Sequence, residues 1–206
     1  LVFLFDAFNQ SATVLTTNAQ AAWPFNDDVY GPEITPDGRF VAYVEREAIG
    51  TATPCGVRLW DQQTGTNVLV SADLGGLLPT NSVSHTPTVS ADGRYVIFLS
   101  DATNLVANAI TNGLHIYRRD LQTSTTALVD VDTNGIGSSV QMGDDPVVSS
   151  TGDLVVYSSI DGGLVGLDNN EALDVFLWDS TTGTNELISP RDPQVLSRSG
   201  NGVSAV

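Results

Sequence analysis

Lysine is absent from this chain of 206 residues, cysteine and methionine occur once each, and histidine occurs twice. Each shortage excludes something. A Gly-rich phosphate cradle ending in lysine is missing, as are a His-Glu-x-x-His zinc helix and a Gly-x-Ser-x-Gly nucleophile elbow. The single Cys55 cannot form an intrachain disulfide, so a disulfide framework is excluded. A catalytic thiol needs a base and an orienting partner. Cys55 stands in a loop-like stretch, "GTATPCGV", and His85 and His115 lie elsewhere with no local signature. No apolar run approaches the roughly 20 residues of a membrane span, so no membrane insertion is expected. The chain shows no initiator Met, signal peptide or targeting motif, which reads as a mature piece or an excerpt of a longer protein.

Charge of one sign is also scarce. Eight arginines face 24 acids, for a net charge of −16 and a pI near 4.1. A field this negative disfavours nucleic acid and anionic membranes as partners. It suits a solubilised secreted domain, a high-salt environment or cation binding. Most of the acid is Asp in turn-like positions, where its side chain caps backbone N–H groups. The number of acids leaves a carboxylate pair for hydrolysis open.

What is present is a repeat. "PEITPDGRFVAYVE" from Pro32 returns as "PTVSADGRYVIFLS" from Pro87 and "PVVSSTGDLVVYSS" from Pro146. A second element, "VFLFDAFNQSATVLT" from Val2, returns from Val57, Ile116 and Val175. The aspartate of that element falls at Asp6, Asp61, Asp120 and Asp179, about 55, 59 and 59 residues apart. Its place at the end of a strand in every copy argues for turn capping, because catalysis seldom needs one copy per repeat.

Each full unit reads as four short strands. In the first, Glu33–Thr35 leads into Pro36-Asp37-Gly38-Arg39, where Pro fixes φ and Asp-Gly tolerates the positive φ of a tight hairpin. Phe40–Val44 is almost continuously apolar, as expected of a strand covered on both faces. Val57–Trp60 and Val68–Val70 complete the unit around Thr64-Gly65-Thr66. The second unit places strands at Pro87–Ser90, Tyr95–Leu99, His115–Arg118 and Thr126–Val129. The third places them at Val147–Ser149, Leu154–Tyr157, Val175–Trp178 and Glu186–Ile188. Four strands at this period mark a β-propeller blade. The expected fold is all-β: a propeller of four-stranded antiparallel blades, about three and a half of them. Residues 1–17 give two strands of a blade, 18–71, 72–130 and 131–189 one blade each, and 190–206 the crossover to a further blade. Closed propellers use four to eight blades, so further blades, from the same chain or another copy, are expected to close the ring.

The pattern P-x-(I/V)-(S/T)-x-D-G-R-(F/Y)-V-x-(F/Y) at Pro32–Tyr43 and Pro87–Phe98 resembles the TolB-type and tricorn-type propeller repeats of bacterial envelope and secreted proteins. The run (L/F)-W-D-x-x-T-G-T at Leu59–Thr66 and Leu177–Thr184 joins it, and the resemblance covers nearly the whole chain. It implies a secreted or periplasmic location and one of several roles: a protein-binding envelope module, a surface module, or a propeller gating a peptidase. Fold alone does not choose among them. The loops from Ser100 and Ser159 resemble a secreted repeat loop rich in Asp and Asn. In the second, Asp168, Asn170 and Asp174 have a spacing that could present oxygens to Ca²⁺, with Asp161 as a further acid. Asx-turn capping is the other reading of the same residues.

Candidate ligand residues lie between the repeats. Trp23, Phe25 and Tyr30 in "WPFNDDVYG" would make an aromatic contact patch, and His85 lies in the next crossover. Packing over a blade end and loop hydrogen bonding are the competing roles. Trp60 and Trp178 share one repeat position, expected to pack blade on blade. The function expected is a noncatalytic scaffold that binds a protein or glycan partner through its crossover loops. The alternatives are an access-restricting propeller of a larger peptidase or hydrolase, and a calcium-stabilised surface array.

Overall fold

The computed structural model describes residues 2–16, 31–46, 54–110, 113–138, 145–166, 168 and 172–189. The two-stranded sheet pairs β1 (Val2–Asp6) with β2 (Ser11–Thr16). Three four-stranded antiparallel meanders follow. The first runs β3 (Glu33–Ile34), β4 (Phe40–Arg46), β5 (Cys55–Asp61) and β6 (Thr66–Leu69). The second runs β7 (Ser84–Val89), β8 (Tyr95–Ser100), β9 (His115–Asp120) and β10 (Thr125–Leu128). The third runs β11 (Val147–Val148), β12 (Leu154–Ser159), β13 (Asp174–Asp179) and β14 (Thr184–Leu187). These are three blades and the outer half of another.

The middle strands explain the apolar runs. Along β8, Val96 and Phe98 enter a core shared with the first blade, through Val44, Val57 and Leu59. Ile97 and Leu99 point the other way, into a core shared with Val155, Tyr157 and Phe176 of the third blade. Alternating residues thus face opposite neighbours, and both faces are dry. Trp178 is buried in the second of these junctions, while Trp60 is half-buried. Phe3, Tyr117 and Phe176 hold one repeat position. Tyr117 and Phe176 are fully buried between blades, whereas Phe3 is 55% exposed. Burying such a side chain contributes roughly 2–3 kcal/mol, so the blade junctions carry much of the stability.

Strand limits shift from the sequence reading by one to three residues, and two of the shifts change a residue's setting. Cys55 is the first, buried residue of β5 rather than a loop residue, and forms a parallel bridge with Val83. β7 starts at Ser84, not Pro87, because a bulge carries the strand through the proline. Its register passes from His85↔Leu99 to Thr88↔Ile97. The bulge takes Pro87, which has no N–H to donate, out of the ladder.

A four-stranded meander sorts its connections. The first-to-second and third-to-fourth strand turns share one end, the hairpin end. The second-to-third loops and the crossovers between blades share the other, the loop end.

The hairpin end is repeated punctuation. Gly38, Gly93 and Gly152 hold φ of +74°, +71° and +76°. Asp37 and Asp92 accept N–H bonds from Arg39 and Arg94 at 3.0 and 3.1 Å, and Thr35 and Ser90 hydroxyls close each turn. The recurring aspartates cap the other hairpins. Asp6, Asp61, Asp120 and Asp179 accept the N–H two residues on at 2.7–2.9 Å. Arg39 and Arg94 add a bidentate pair to Asp61 and Asp120, holding both carboxyls well below the usual range, Asp61 at about 2.

Candidate functional site

The loop end gathers what does not repeat, and the first strands bring part of it to one place. β7 lies beside β3 and β11. The entries to these three strands, Gly31-Pro32-Glu33, Thr86-Pro87-Thr88 and Asp145-Pro146-Val147, line a cavity of about 250 Å³. Each contributes its proline at the same place, which removes a donor from an inner sheet edge. Its polar lining residues are Glu33, Thr86, Thr88 and Asp145, with Thr88 Oγ1 donating to the Pro146 carbonyl at 3.3 Å.

Thr86 is the unusual member. A β-branched residue directly before a proline disfavours helical backbone, yet Thr86 sits at φ +51°. Strain of this kind, on the order of 1–3 kcal/mol, persists where the surroundings over-determine it, and it concentrates at ligand sites. Here the surroundings are the bulge and the His85 ring, whose Nδ1 lies 2.8 Å from Thr86 Oγ1. His85 is buried, and loss of solvation lowers its pKa to about 4, against the opposing charge of Asp101. The ring is therefore neutral at neutral pH. The cavity offers acceptors, hydroxyls and carboxylates, so it suits donor-rich groups such as sugar hydroxyls, amides or amines.

The sequence-derived residues scatter around this place. His85 lies in β7 and touches the cavity through Thr86. Trp23, Phe25, Tyr30 and Asn170 lie outside the described residues. Asp168 is buried, and its backbone carbonyl is packed where a Cβ on Gly162 would fall. Asp174 opens β13 and accepts the Ser189 hydroxyl at 2.9 Å. Asp161 accepts the Gly163 N–H at 2.8 Å and the Ser138 hydroxyl at 2.7 Å. Among the described residues no three His, Cys, Asp or Glu side chains group closely enough to hold a metal ion.

His115 and Asp174 occupy one repeat position, and the second blade uses it differently. His115 Nδ1 meets Asp130 Oδ2 at 3.0 Å, both fully buried, and Asp130 Oδ1 accepts the Ile116 N–H. Burial pushes the Asp130 carboxyl up despite the histidine. Ser71 and Ser189 serve the first and third blades in the place of Asp130, accepting Val57 and Val175 N–H groups at 3.0 and 2.8 Å.

Sequence reasoning missed Thr86, Glu33 and Asp145. Their signal was the residue next to each repeat-opening proline, which varies while the proline stays.

No protein-family model matches the chain, and no curated protein matches it. Solved structures do. Dipeptidyl peptidase 4 from Porphyromonas gingivalis aligns over 90% of this chain and 28% of its own, with 13% identity and a TM-score of 0.54. The tricorn protease aligns over 90% of this chain and 20% of its own, with 12% identity and a TM-score of 0.53. A TolB-type protein from Agrobacterium tumefaciens gives 19% identity over 85% of this chain and 51% of its own, with a TM-score of 0.47. The chain thus spans about half or less of each. Among the described residues no helix is long and apolar enough to cross a membrane. At these identities the likeness is one of fold, and the chain is a partial β-propeller of about three and a half blades, of the architecture seen in tricorn protease and dipeptidyl peptidase 4.

Proposed function

We propose that the chain is a noncatalytic propeller module of a secreted or envelope protein, binding a protein or glycan partner through its loop end. The observation that carries this is the division of labour between the two ends. The hairpin end repeats the same bonds in successive blades, whereas the loop end holds the cavity, the strained Thr86 and the unlike loops. Rigid strands presenting variable loops form a binding scaffold. Further blades, from this chain or another copy, complete the ring around the cavity.

The test compares the ends. Glu33→Gln and Asp145→Asn at the cavity, and Thr64→Ala and Thr123→Ala at the hairpins, are measured for capture on glycan arrays and by crosslinking to envelope proteins. Capture falls at least tenfold in the first pair and holds in the second. Equal capture by both, or hydrolysis of a peptide or glycan by this chain alone, overturns the proposal.

The shared fold of tricorn protease and dipeptidyl peptidase 4 supports a second reading, an access-restricting propeller of a peptidase or hydrolase. Sequencing the gene beyond Leu1 and Val206 separates the two, because a downstream Gly-x-Ser-x-Gly elbow favours the second. Ca²⁺ at Asp168, Asn170 and Asp174 is compatible with both and would fix the loop that holds them. Chelator then lowers the melting temperature, and a melting curve unchanged by both chelator and Asp168→Ala removes the ion.

A further inference from the structure

The loop end also carries exposed aliphatic side chains outside the cavity. Two crossovers open with the same turn. Asp73 accepts the N–H groups of Gly75 and Leu77 at 2.9 Å, and Asp132 accepts those of Asn134 and Ile136 at 2.8 Å. Each turn is closed by a glycine at positive φ, Gly76 at +81° and Gly135 at +80°. The turns are stitched to their neighbours. Asn104 bonds the first, through Asp73 Oδ2 at 3.1 Å and through its own carbonyl to Leu74 N–H at 3.0 Å. Asn108 donates to the Gly135 carbonyl at 2.9 Å, and Thr133 N–H reaches the Gly163 carbonyl at 3.1 Å. The connections of the second and third blades thus form one bonded ledge.

On that ledge the aliphatic side chains face outward. Leu74 and Leu77 are each 69% exposed, and Ile136 and Ile160 are exposed as well. Turns usually carry polar side chains, so four large aliphatic groups held out by ordered backbone call for an occupant. Charge selects it. Asp73, Asp101, Asp132, Asp145 and Asp161 are exposed or half-buried at this end, where the arginines among the described residues are Arg46 and Arg58, the second paired with Glu45. Arg39, Arg94 and Arg118 serve the other half of the strands, where they pair with aspartates or stack on rings, and Arg119 donates to the Thr126 hydroxyl there.

We infer that the ledge is a docking surface for a cationic, aliphatic peptide segment of a partner protein. The partner's leucine-like side chains seat against Leu74, Leu77, Ile136 and Ile160, while its lysines or arginines meet the surrounding carboxylates. The combination gives apolar affinity with an acidic rim that speeds association and rejects acidic partners. This rests on the reading of the loop end as the binding face and names the partner's chemistry.

The test uses the full chain and three short synthetic peptides: alternating Lys and Leu, alternating Lys and Ser, and alternating Glu and Leu. Lys-Leu binds, and its amide-shift perturbations by NMR map to residues 73–77, 104–108 and 132–136. Its affinity falls about tenfold in the Leu74→Ser/Leu77→Ser double variant, holds in the blade-edge control Val68→Ser, and weakens as salt rises. Equal binding of Lys-Ser shows charge alone, and equal binding of Glu-Leu shows apolar contact alone. Either result overturns the inference, as do perturbations mapping to the hairpin end. A natural partner lost on the Leu74→Ser/Leu77→Ser change but indifferent to salt overturns the cationic partner and leaves the loop-end reading standing. Partners indifferent to every loop-end change remove both.

Discussion

At the hairpin end, Gly38, Gly93 and Gly152 share one backbone conformation, and Asp61, Asp120 and Asp179 cap the neighbouring turns alike. At the loop end, two crossovers share a turn at Asp73 and Asp132 and then diverge, and the entries to β3, β7 and β11 keep only a proline in common. The strands joining the two ends are the same. The difference therefore marks what the fold demands and what it leaves free. Every blade must turn tightly at one end to bury both faces of its middle strands, while the other end can vary as long as its backbone groups are bonded. Changes at the first end should cost stability, and changes at the second should cost binding.

The largest effect belongs to the glycines of the hairpin end. A Cβ on Gly93 would lie 2.2 Å from the Phe40 ring, and one on Gly152 would lie 2.2 Å from the Tyr95 ring, whereas one on Gly38 meets open space. Each glycine sits at positive φ, worth about 1–2 kcal/mol to any other residue. The two inner positions add overpacking of roughly 1–3 kcal/mol. Gly93→Ala and Gly152→Ala should therefore destabilise by about 2–5 kcal/mol, and Gly38→Ala by about 1–2. Urea titration followed by fluorescence checks this. Equal losses at all three would show that the aromatic contact between blades carries no weight.

The next effect sits at the loop end and depends on pH. Burial holds the folded pKa of His85 near 4, below its unfolded value of about 6.5. The folded state thus prefers the neutral ring. That contribution is complete above pH 6.5 and is lost as pH falls towards 4, by about 3 kcal/mol in all. His85→Asn should flatten the stability curve across this window. A wild-type slope that survives the substitution would place the proton elsewhere, at the buried His115–Asp130 pair first.

A smaller acid-side effect returns to the hairpin end. Arg39 and Arg94 depress the carboxyls of Asp61 and Asp120 below their unfolded value. The folded state binds fewer protons there, so this stability is present above about pH 4 and fades as pH falls towards 2. The arginine side chains are 41% and 36% exposed, so solvent screening keeps the contribution of each pair small. Arg94→Gln should lower the melting temperature slightly at pH 7 and hardly at all at pH 2, read from melting curves at the two values.

The sequence was legible where one residue type answers one geometric demand in every copy. Aspartate at Asp61, Asp120 and Asp179 and glycine at Gly38, Gly93 and Gly152 are of that kind, and so are the apolar runs of β4, β8 and β12. The bulge at Thr86 was not legible, because no residue type requires it. It arises from pairing Ser84 and His85 with β8 while Pro87 interrupts the ladder. The cavity was hidden for a related reason. Its wall comes from three segments each more than fifty residues from the next, and only the packing of the first strands brings them together. The role of Asn67 and Asn185 was also missed. Each bonds the hydroxyl of a middle-strand tyrosine, Tyr43 or Tyr157, and in hindsight the Thr-Gly-Thr-Asn run marks both.

The smallest effect tests whether the hairpin end obeys its rule where the sequence departs from it. Gly65 and Gly183 turn the outer hairpins of the first and third blades at φ +69° and +67°. The second blade puts Ser124 there, at φ +57°, yet keeps the flanking Thr123 and Thr125 hydroxyls 2.8 Å apart, as Thr182 and Thr184 are. The geometry has been preserved and the glycine has not. A serine in the left-handed region costs about 1–2 kcal/mol, and a glycine there loses about 0.5–1 kcal/mol more chain entropy on folding. Ser124→Gly should therefore stabilise by about 0.5 kcal/mol, and Gly183→Ser should destabilise by a similar amount. Neither should alter binding at the loop end, which lies at the far end of the same strands. A stabilising Ser124→Gly would show that the turn is set by the pairing of β9 with β10 and merely tolerated by its residue. A destabilising one would mean that the Ser124 side chain contributes something that the glycines of the other blades do not.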